Sequence, residues 1–403
     1  MKDHPIDDDW GHSTRCIWGG EGEPNPGGAT VFPVFHAVTF AYDDLDEWKA
    51  VSVGERPGHI YSRNTNPTVE AFEHRIRAIE GAEAATSFST GMAAISNTLF
   101  ALLSPGSRVV TIKDTYGGTN KLFIDVLPRF GIEVVLCETH DHEMIEREIA
   151  AGCDLLYLET PTNPTLKVLD IARLAAAAHE VGATVVVDNT FATPINQRPL
   201  ELGADVVLYS ATKFLGGHSD AMGGVACGST ELVRKIFHFR EINGASLDPT
   251  SAFLLMRGLK TLELRILRQN DNALRIARFL TEHPAVEGVF YPGLESHPGH
   301  EVASRQMHGF GGVLSFSLRG GFEAMRHVVQ SLRLAHRAAS LGSVGTLVGP
   351  PSTTSHVELT AEERAAAGIP EALVRYSAGI ENVEDLITDL RTALDGASGE
   401  ASQ

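Results

Sequence analysis

The chain has 403 residues, 43% of them hydrophobic and 21% charged, a globular balance longer than one core usually supports, so two or three packed domains are expected. Its 33 basic and 51 acidic residues give a net charge of -18, which repels phosphate backbones and anionic lipid and argues against nucleic-acid and membrane partners. Cys16, Cys137, Cys153 and Cys227 lie far apart without paired spacing, which argues against a disulfide framework or zinc site and fits a reducing, cytoplasmic setting.

The start, MKDHPIDDDW, is acidic and lacks the apolar segment of a secretory signal, and no apolar run approaches membrane-spanning length. Residues 1–65 carry many breakers, such as GGEGEPNPGG at 19–28, and are expected to form an extended arm that packs on a neighbouring subunit. From about 66 to 260 short β-branched runs alternate with amphipathic stretches. The predicted strands are VVTI (109–112), VVLC (134–137), LLYLE (155–159), TVVVD (184–188) and DVVLYS (205–210). Helical patterns fall at 92–103, 118–129, 141–150 and 170–181, with Asp141 and Asp170 placed as caps. Such alternation predicts an α/β domain with a mostly parallel central sheet and helices on both faces. From 261 to 403 the pattern changes to a smaller α+β domain. It has a long helix over 259–283, a strand at 311–318, helices at 321–332 and 382–395, and a Gly/Pro/Ser/Thr-rich loop at 340–356.

In open α/β sheets ligands bind beyond the carboxyl ends of the strands. Those ends carry Asp114-Thr-Tyr116, Glu159-Thr-Pro-Thr-Asn163, Asp188-Asn-Thr190 and Ser210-Ala-Thr212-Lys213, and Ser89-Thr90-Gly91-Met92 precedes the helix at 92–103. Together they offer a phosphate seat, an aromatic ring, an amide, a carboxylate, hydroxyls and a lysine. Pyridoxal 5'-phosphate uses that whole set: an amine for its aldehyde, a carboxylate for its ring nitrogen, a flat stacking partner, and donors for its phosphate. The dinucleotide pattern G-x-G-x-x-G, the P-loop Gly-Lys pair and the metalloprotease pattern H-E-x-x-H are all absent.

The segments TRCIWGG (14–20), IYSRNTNPT (60–68), STGMAAI (89–95), DTYGGTN (114–120), ETPTNPTL (159–166), VVDNTFATP (187–194), SATKFLGGHSD (210–220) and RYSAGIENVEDL (375–386) run in order along nearly the whole chain. They resemble the Cys/Met-metabolism family of pyridoxal-phosphate enzymes, which holds cystathionine γ-synthases, cystathionine γ-lyases, methionine γ-lyases and O-acetylhomoserine sulfhydrylases. The resemblance implies the fold-type I, aspartate-aminotransferase-like architecture. It implies that Lys213 bonds the cofactor aldehyde and shuttles protons, that Asp188 pairs with the ring nitrogen, and that Tyr116 stacks on the ring and assists the leaving group. Gly91, Met92, Ser210 and Thr212 would hold the phosphate. Asn163 would serve both cofactor and substrate. Tyr61 and Arg63 would reach the phosphate of an adjacent subunit, with Tyr61 also near substrate, so the resemblance implies a homodimer at least and commonly a tetramer. Arg375 would bind the substrate α-carboxylate through its planar fork, assisted by Ser340.

The reaction implied is γ-elimination or γ-replacement on an O- or S-substituted homoserine, methionine γ-lyase-like. An O-acyl-homoserine sulfhydrylase or cystathionine γ-synthase, a lyase for an unusual substrate such as canavanine, and a cystathionine β- or γ-lyase are the alternatives. Three positions bear on the choice. Ala339 stands where cystathionine-handling members carry glutamate, Ile60 precedes Tyr61 as in methionine γ-lyases and sulfhydrylases, and Tyr116-Gly-Gly118 lacks the cysteine typical of methionine γ-lyases. The loop 347–370 looks closer to the lyase and sulfhydrylase branch, whereas Trp18, Phe35 and Val344-Gly345-Thr346 depart from commoner family residues.

Overall fold

The computed structural model describes residues 10–21, 25–354, 357, 360, 362, 364 and 368–400. Seven strands form the first sheet: β1 Ala84–Phe88, β2 Arg108–Ile112, β3 Glu133–Cys137, β4 Leu155–Glu159, β5 Thr184–Asp188, β6 Val206–Ser210 and β7 Gly224–Gly228. Their order is β1-β7-β6-β5-β4-β2-β3. β2 pairs in parallel with β3 and β4, and β4 with β5, while β1 and β7 are antiparallel. Every residue of β4 is buried, so both faces of the sheet are covered there, as a near-continuous apolar run requires. β1 and β7, AATSF and GVACG, are strands of small residues that β-branched patterning does not reveal.

Packing in space divides the chain into two compact units, residues up to Leu102 with Leu208–Leu262, and Leu103–Val207 with Glu263–Gln403. In the first, helices Pro67–Glu80, Gly91–Leu102 and Thr230–Asn243 pack on β1 and β7. The described part of the segment before residue 66 contains two short α-helices, His12–Trp18 and Leu45–Ser52, and a 3-10 turn Pro26–Gly28.

In the second unit, helices His142–Ala150 and Ile171–Glu180 lie against β2 to β5. Both caps act as expected, Asp141 accepting from Met144 N and Asp170 from Arg173 N. The pattern over 118–129 does not make one helix. The chain forms an α-turn Gly117–Lys121, a widened π-turn Leu122–Val126 and a 3-10 turn Leu127–Phe130. Pro128 explains the break, because it has no N–H for the ladder and its ring crowds the preceding turn.

A second sheet follows: β8 Val286–Phe290, β9 Val313–Leu318, β10 His336–Arg337, β11 Leu347–Gly349 and β12 Leu373–Ser377, in the order β10-β11-β12-β9-β8. Its pairs are antiparallel except β10 with β11. Leu314, Phe316, Met325, Val328, Val374, Tyr376, Leu386 and Leu390 form its core, with helices Gly321–Ser331 and Val383–Glu400 packed on each other. The long pattern at 259–283 is the helix Leu262–Glu282. Among the described residues no helix is long and apolar enough to cross a membrane. All four cysteines are buried thiols.

Candidate active site

In the first unit, β6 ends in a tight turn that carries the lysine. Lys213 N donates to Ser210 O at 3.1 Å, Gly216 N to Ala211 O at 2.9 Å, and Gly217 N to Lys213 O at 2.8 Å. Thr212 Oγ1 accepts from Gly223 N at 3.0 Å, which fastens the turn to the chain returning into β7. Glycines let the neighbouring backbone close in. A methyl on Gly91 would lie 2.7 Å from Ser210 Cβ and 2.8 Å from its Oγ. One on Gly258, in helix Pro249–Leu259, would lie 2.3 Å from Gly216 O. Met92 stands in the first turn of helix Gly91–Leu102, where backbone N–H groups and the helix dipole favour an anion. Gly91, Met92, Ser210, Thr212 and Lys213 therefore share one compact corner of this unit.

Tyr61 and Arg63 are both exposed, with the guanidinium carbon 5.2 Å from the Tyr61 ring centroid. Tyr61 bridges Thr39 in antiparallel fashion. Buried Arg240 secures the end of this segment, donating to Asn64 O, to Ser87 O at 2.9 Å and to Glu73 Oε1 at 3.1 Å. On an amphipathic helix a lone arginine reads as solvated, so no pattern in the sequence identifies this role.

In the second unit, Glu159 and Asp188 end β4 and β5 as register partners, and both are buried. Asp188 Oδ1 accepts from Thr190 N at 3.0 Å, and the Tyr157 hydroxyl stands 3.5 Å from Oδ2, a long contact. Burial raises the Asp188 pKa against the Thr190 donors. Burial first, and then the Asp188 charge, push Glu159 well above the carboxylate range. Glu159 Oε2 accepts from Tyr116 N at 2.8 Å, while the Tyr116 ring is 45% exposed.

The same unit joins Arg375 to Asn163 and Ser340. Arg375 is on β12; its Nη1 donates to Asn163 Oδ1 at 2.9 Å and its Nη2 to Ser340 O at 3.0 Å. Ser340 holds that carbonyl with a φ of 126°, a strained value for a non-glycine residue. Burial lowers the Arg375 pKa to about 10, which leaves it cationic at neutral pH. No carboxylate among the described residues pairs with it, so the corner is a buried cation with unspent attraction for an anion.

The loop behind Ser340 is tied down by side chains. Gly342 N donates to Ser377 Oγ at 2.9 Å and Gln269 Nε2 to Ser343 O at 2.8 Å. Thr346 N donates to Glu381 Oε1 at 2.7 Å, the Thr346 hydroxyl to Glu381 Oε2 at 3.0 Å, and Gly379 N to Thr346 Oγ1 at 3.0 Å. This accounts for Thr346, one of the departures from the family pattern. Much of 355–367 in the loop 347–370 lies outside the described residues.

These features fit pyridoxal 5'-phosphate. The Gly91–Ser210 approach, too close for a Cβ, sets the Ser210 hydroxyl beside a helix N-terminus suited to a phosphate, and Asp188 is a buried carboxyl suited to a protonated ring nitrogen. Comparison with known proteins agrees. The sequence profile of the family described as Cys/Met metabolism PLP-dependent enzyme matches residues 13–395. An L-methionine γ-lyase of Fusobacterium nucleatum subsp. polymorphum is 44% identical, over 91% of this chain and 94% of its own length. A cystathionine γ-lyase of Bacillus subtilis is 42% identical, over 95% and 98%. The crystal structure of a cystathionine γ-synthase from Xanthomonas oryzae pv. oryzae, in complex with aminoacrylate and cysteine, superposes with a TM-score of 0.92 at 37% identity, over 97% of this chain and 99% of that one.

Proposed function

Because the chain belongs to the Cys/Met metabolism family of PLP-dependent enzymes, we propose that it catalyses γ-elimination from a thioether or O-substituted homoserine, with methionine the leading substrate. The products are 2-oxobutanoate, ammonia and the leaving group, a thiol in the case of methionine. The observation that carries this reading is the buried Arg375 fork, held by Asn163 and Ser340 and paired with no carboxylate among the described residues. Beside it Ala339 is small and exposed, so position 339 offers no charge for a distal amino group.

Lys213 would hold the cofactor through Nζ, Asp188 its ring nitrogen, and Gly91, Met92, Ser210 and Thr212 its phosphate. When bound, the group withdraws electrons from the substrate Cα, which makes the α-proton and then a β-proton acidic. Lys213 Nζ carries those protons. Arg375 fixes the α-carboxylate through two parallel N–H donors, which a lysine could not match. Asn163 orients the guanidinium and reaches the cofactor, and Tyr116 Oη delivers a proton to the departing sulfur or oxygen. Tyr61 and Arg63 act in a neighbouring subunit, residues 1–65 being an arm between subunits and the assembly a cytoplasmic homotetramer of active-site-sharing dimers.

The test is product identity from purified holoenzyme. With methionine, 2-oxobutanoate and ammonia should appear in equal amounts. Pyruvate from cystathionine alone would mean β-elimination instead. Thioether formed from an O-acyl homoserine and a thiol, without keto acid, would make the enzyme a γ-replacement transferase, as the name of its crystallographic neighbour suggests.

A further inference from the structure

We propose that Glu159 is a positioning residue for this reaction: its buried side chain fixes the Tyr116 backbone, and thereby the phenol, at the strand end opposite Asp188. The inference rests on Tyr116 serving as the acid described above. Tyr116 precedes helix Gly117–Lys121 and is 45% exposed, so packing covers only part of it, with the Arg375 charge acting on the phenol. The position of the phenol therefore depends on the backbone at residue 116.

That backbone has two described hydrogen bonds. Tyr116 O accepts from Asn120 N at 2.8 Å, inside the following turn, and Tyr116 N donates to Glu159 Oε2 at 2.8 Å. Only the second reaches back to the sheet. Other ties hold the neighbours rather than residue 116: Asp114 Oδ2 accepts from Lys167 Nζ at 2.8 Å, and Asn120 Nδ2 donates to Lys113 O at 3.0 Å. Glu159 is itself immobilised. It ends β4, is 5% exposed, pairs in register with Asp188 and faces the Asn163 backbone.

Two carboxyls this close in a buried site do not both ionise readily, and Glu159 is the one whose ionisation both burial and the neighbouring charge oppose. What it offers Tyr116 is therefore an acceptor oxygen on a rigid strand, a role that needs no charge. Glutamine reproduces that acceptor, whereas methionine keeps the length and volume without it.

Holoenzymes bearing Glu159→Gln, Glu159→Met, Tyr116→Phe and Glu159→Met with Tyr116→Phe test this, read by kcat, KM and the visible absorbance of bound cofactor. Glu159→Gln should keep kcat within about threefold, and Glu159→Met should lose about tenfold or more in kcat with little change in KM. All four should retain the cofactor absorbance. The double variant should be no slower than Tyr116→Phe beyond about threefold, because Glu159 acts through the phenol. The inference is overturned if glutamine is as damaging as methionine, if the two losses multiply, or if Glu159→Met loses the cofactor absorbance. Should Glu159→Met not fold, Glu159→Asp, with its acceptor one methylene short, takes its place under the same expectation. A slow Tyr116→Phe beside an unimpaired Glu159→Met would sink this inference alone. A fully active Tyr116→Phe would remove the reading of Tyr116 as the acid, and this inference with it.

Discussion

The turn around Lys213 and the corner around Arg375 are built on opposite principles. The first is made of backbone and small residues, and Gly91 and Gly258 allow approaches that a single methyl would block. The second is made of large polar side chains in the interior, a guanidinium, an amide and two strand-end carboxyls, each oriented by specific hydrogen bonds. One region is damaged by adding atoms, the other by removing or reshaping them.

Four substitutions test that contrast, in descending order of expected effect. Arg375→Lys keeps the charge but loses the fork, and kcat/KM should fall about 100-fold with cofactor content unchanged, measured by steady-state kinetics. A loss under about threefold would mean the corner does not grip a carboxylate. Gly258→Ala brings a methyl to 2.3 Å from Gly216 O. The backbone shift should cost about 2 kcal/mol in urea unfolding. If stability is unchanged, the turn has slack and the contrast weakens. Gly91→Ala should weaken cofactor binding about tenfold, followed by titration of the apoenzyme; unchanged affinity would mean the approach to Ser210 is not what seats the phosphate. Thr346→Val leaves Gly379 N without its acceptor. A loss of about 1 kcal/mol in stability is expected, with KM rising more than kcat falls.

The two regions also differ in how far the sequence reveals them. The Lys213 turn is local: hydroxyls, lysine and glycines follow one apolar run, and their spacing is visible in a short window. The carboxylates at the ends of β4 and β5 are visible too, because strand ends are where ligands bind, although Glu159 carries no sign there of its bond to Tyr116. The Arg375 corner joins residues 212 positions apart, which no local pattern announces; only resemblance to a family brings Asn163 and Arg375 together beforehand. Thr346 with Glu381, and Arg240 with Asn64 and Ser87, are long-range pairs of the same kind. The helix expected at 118–129 fails for a simpler reason, since amphipathic spacing persists across Pro128 while the hydrogen-bond ladder does not.

The hydrogen bonds beneath Lys213, and the helix pressed against Gly216, leave the main chain at the lysine nowhere to go. Any travel of the amine that the proposed proton transfers require must come from rotation about its own carbon–carbon bonds. Side-chain rotation of that kind is far quicker than a loop opening and shutting. Each swing of the amine should therefore add almost nothing to the turnover time.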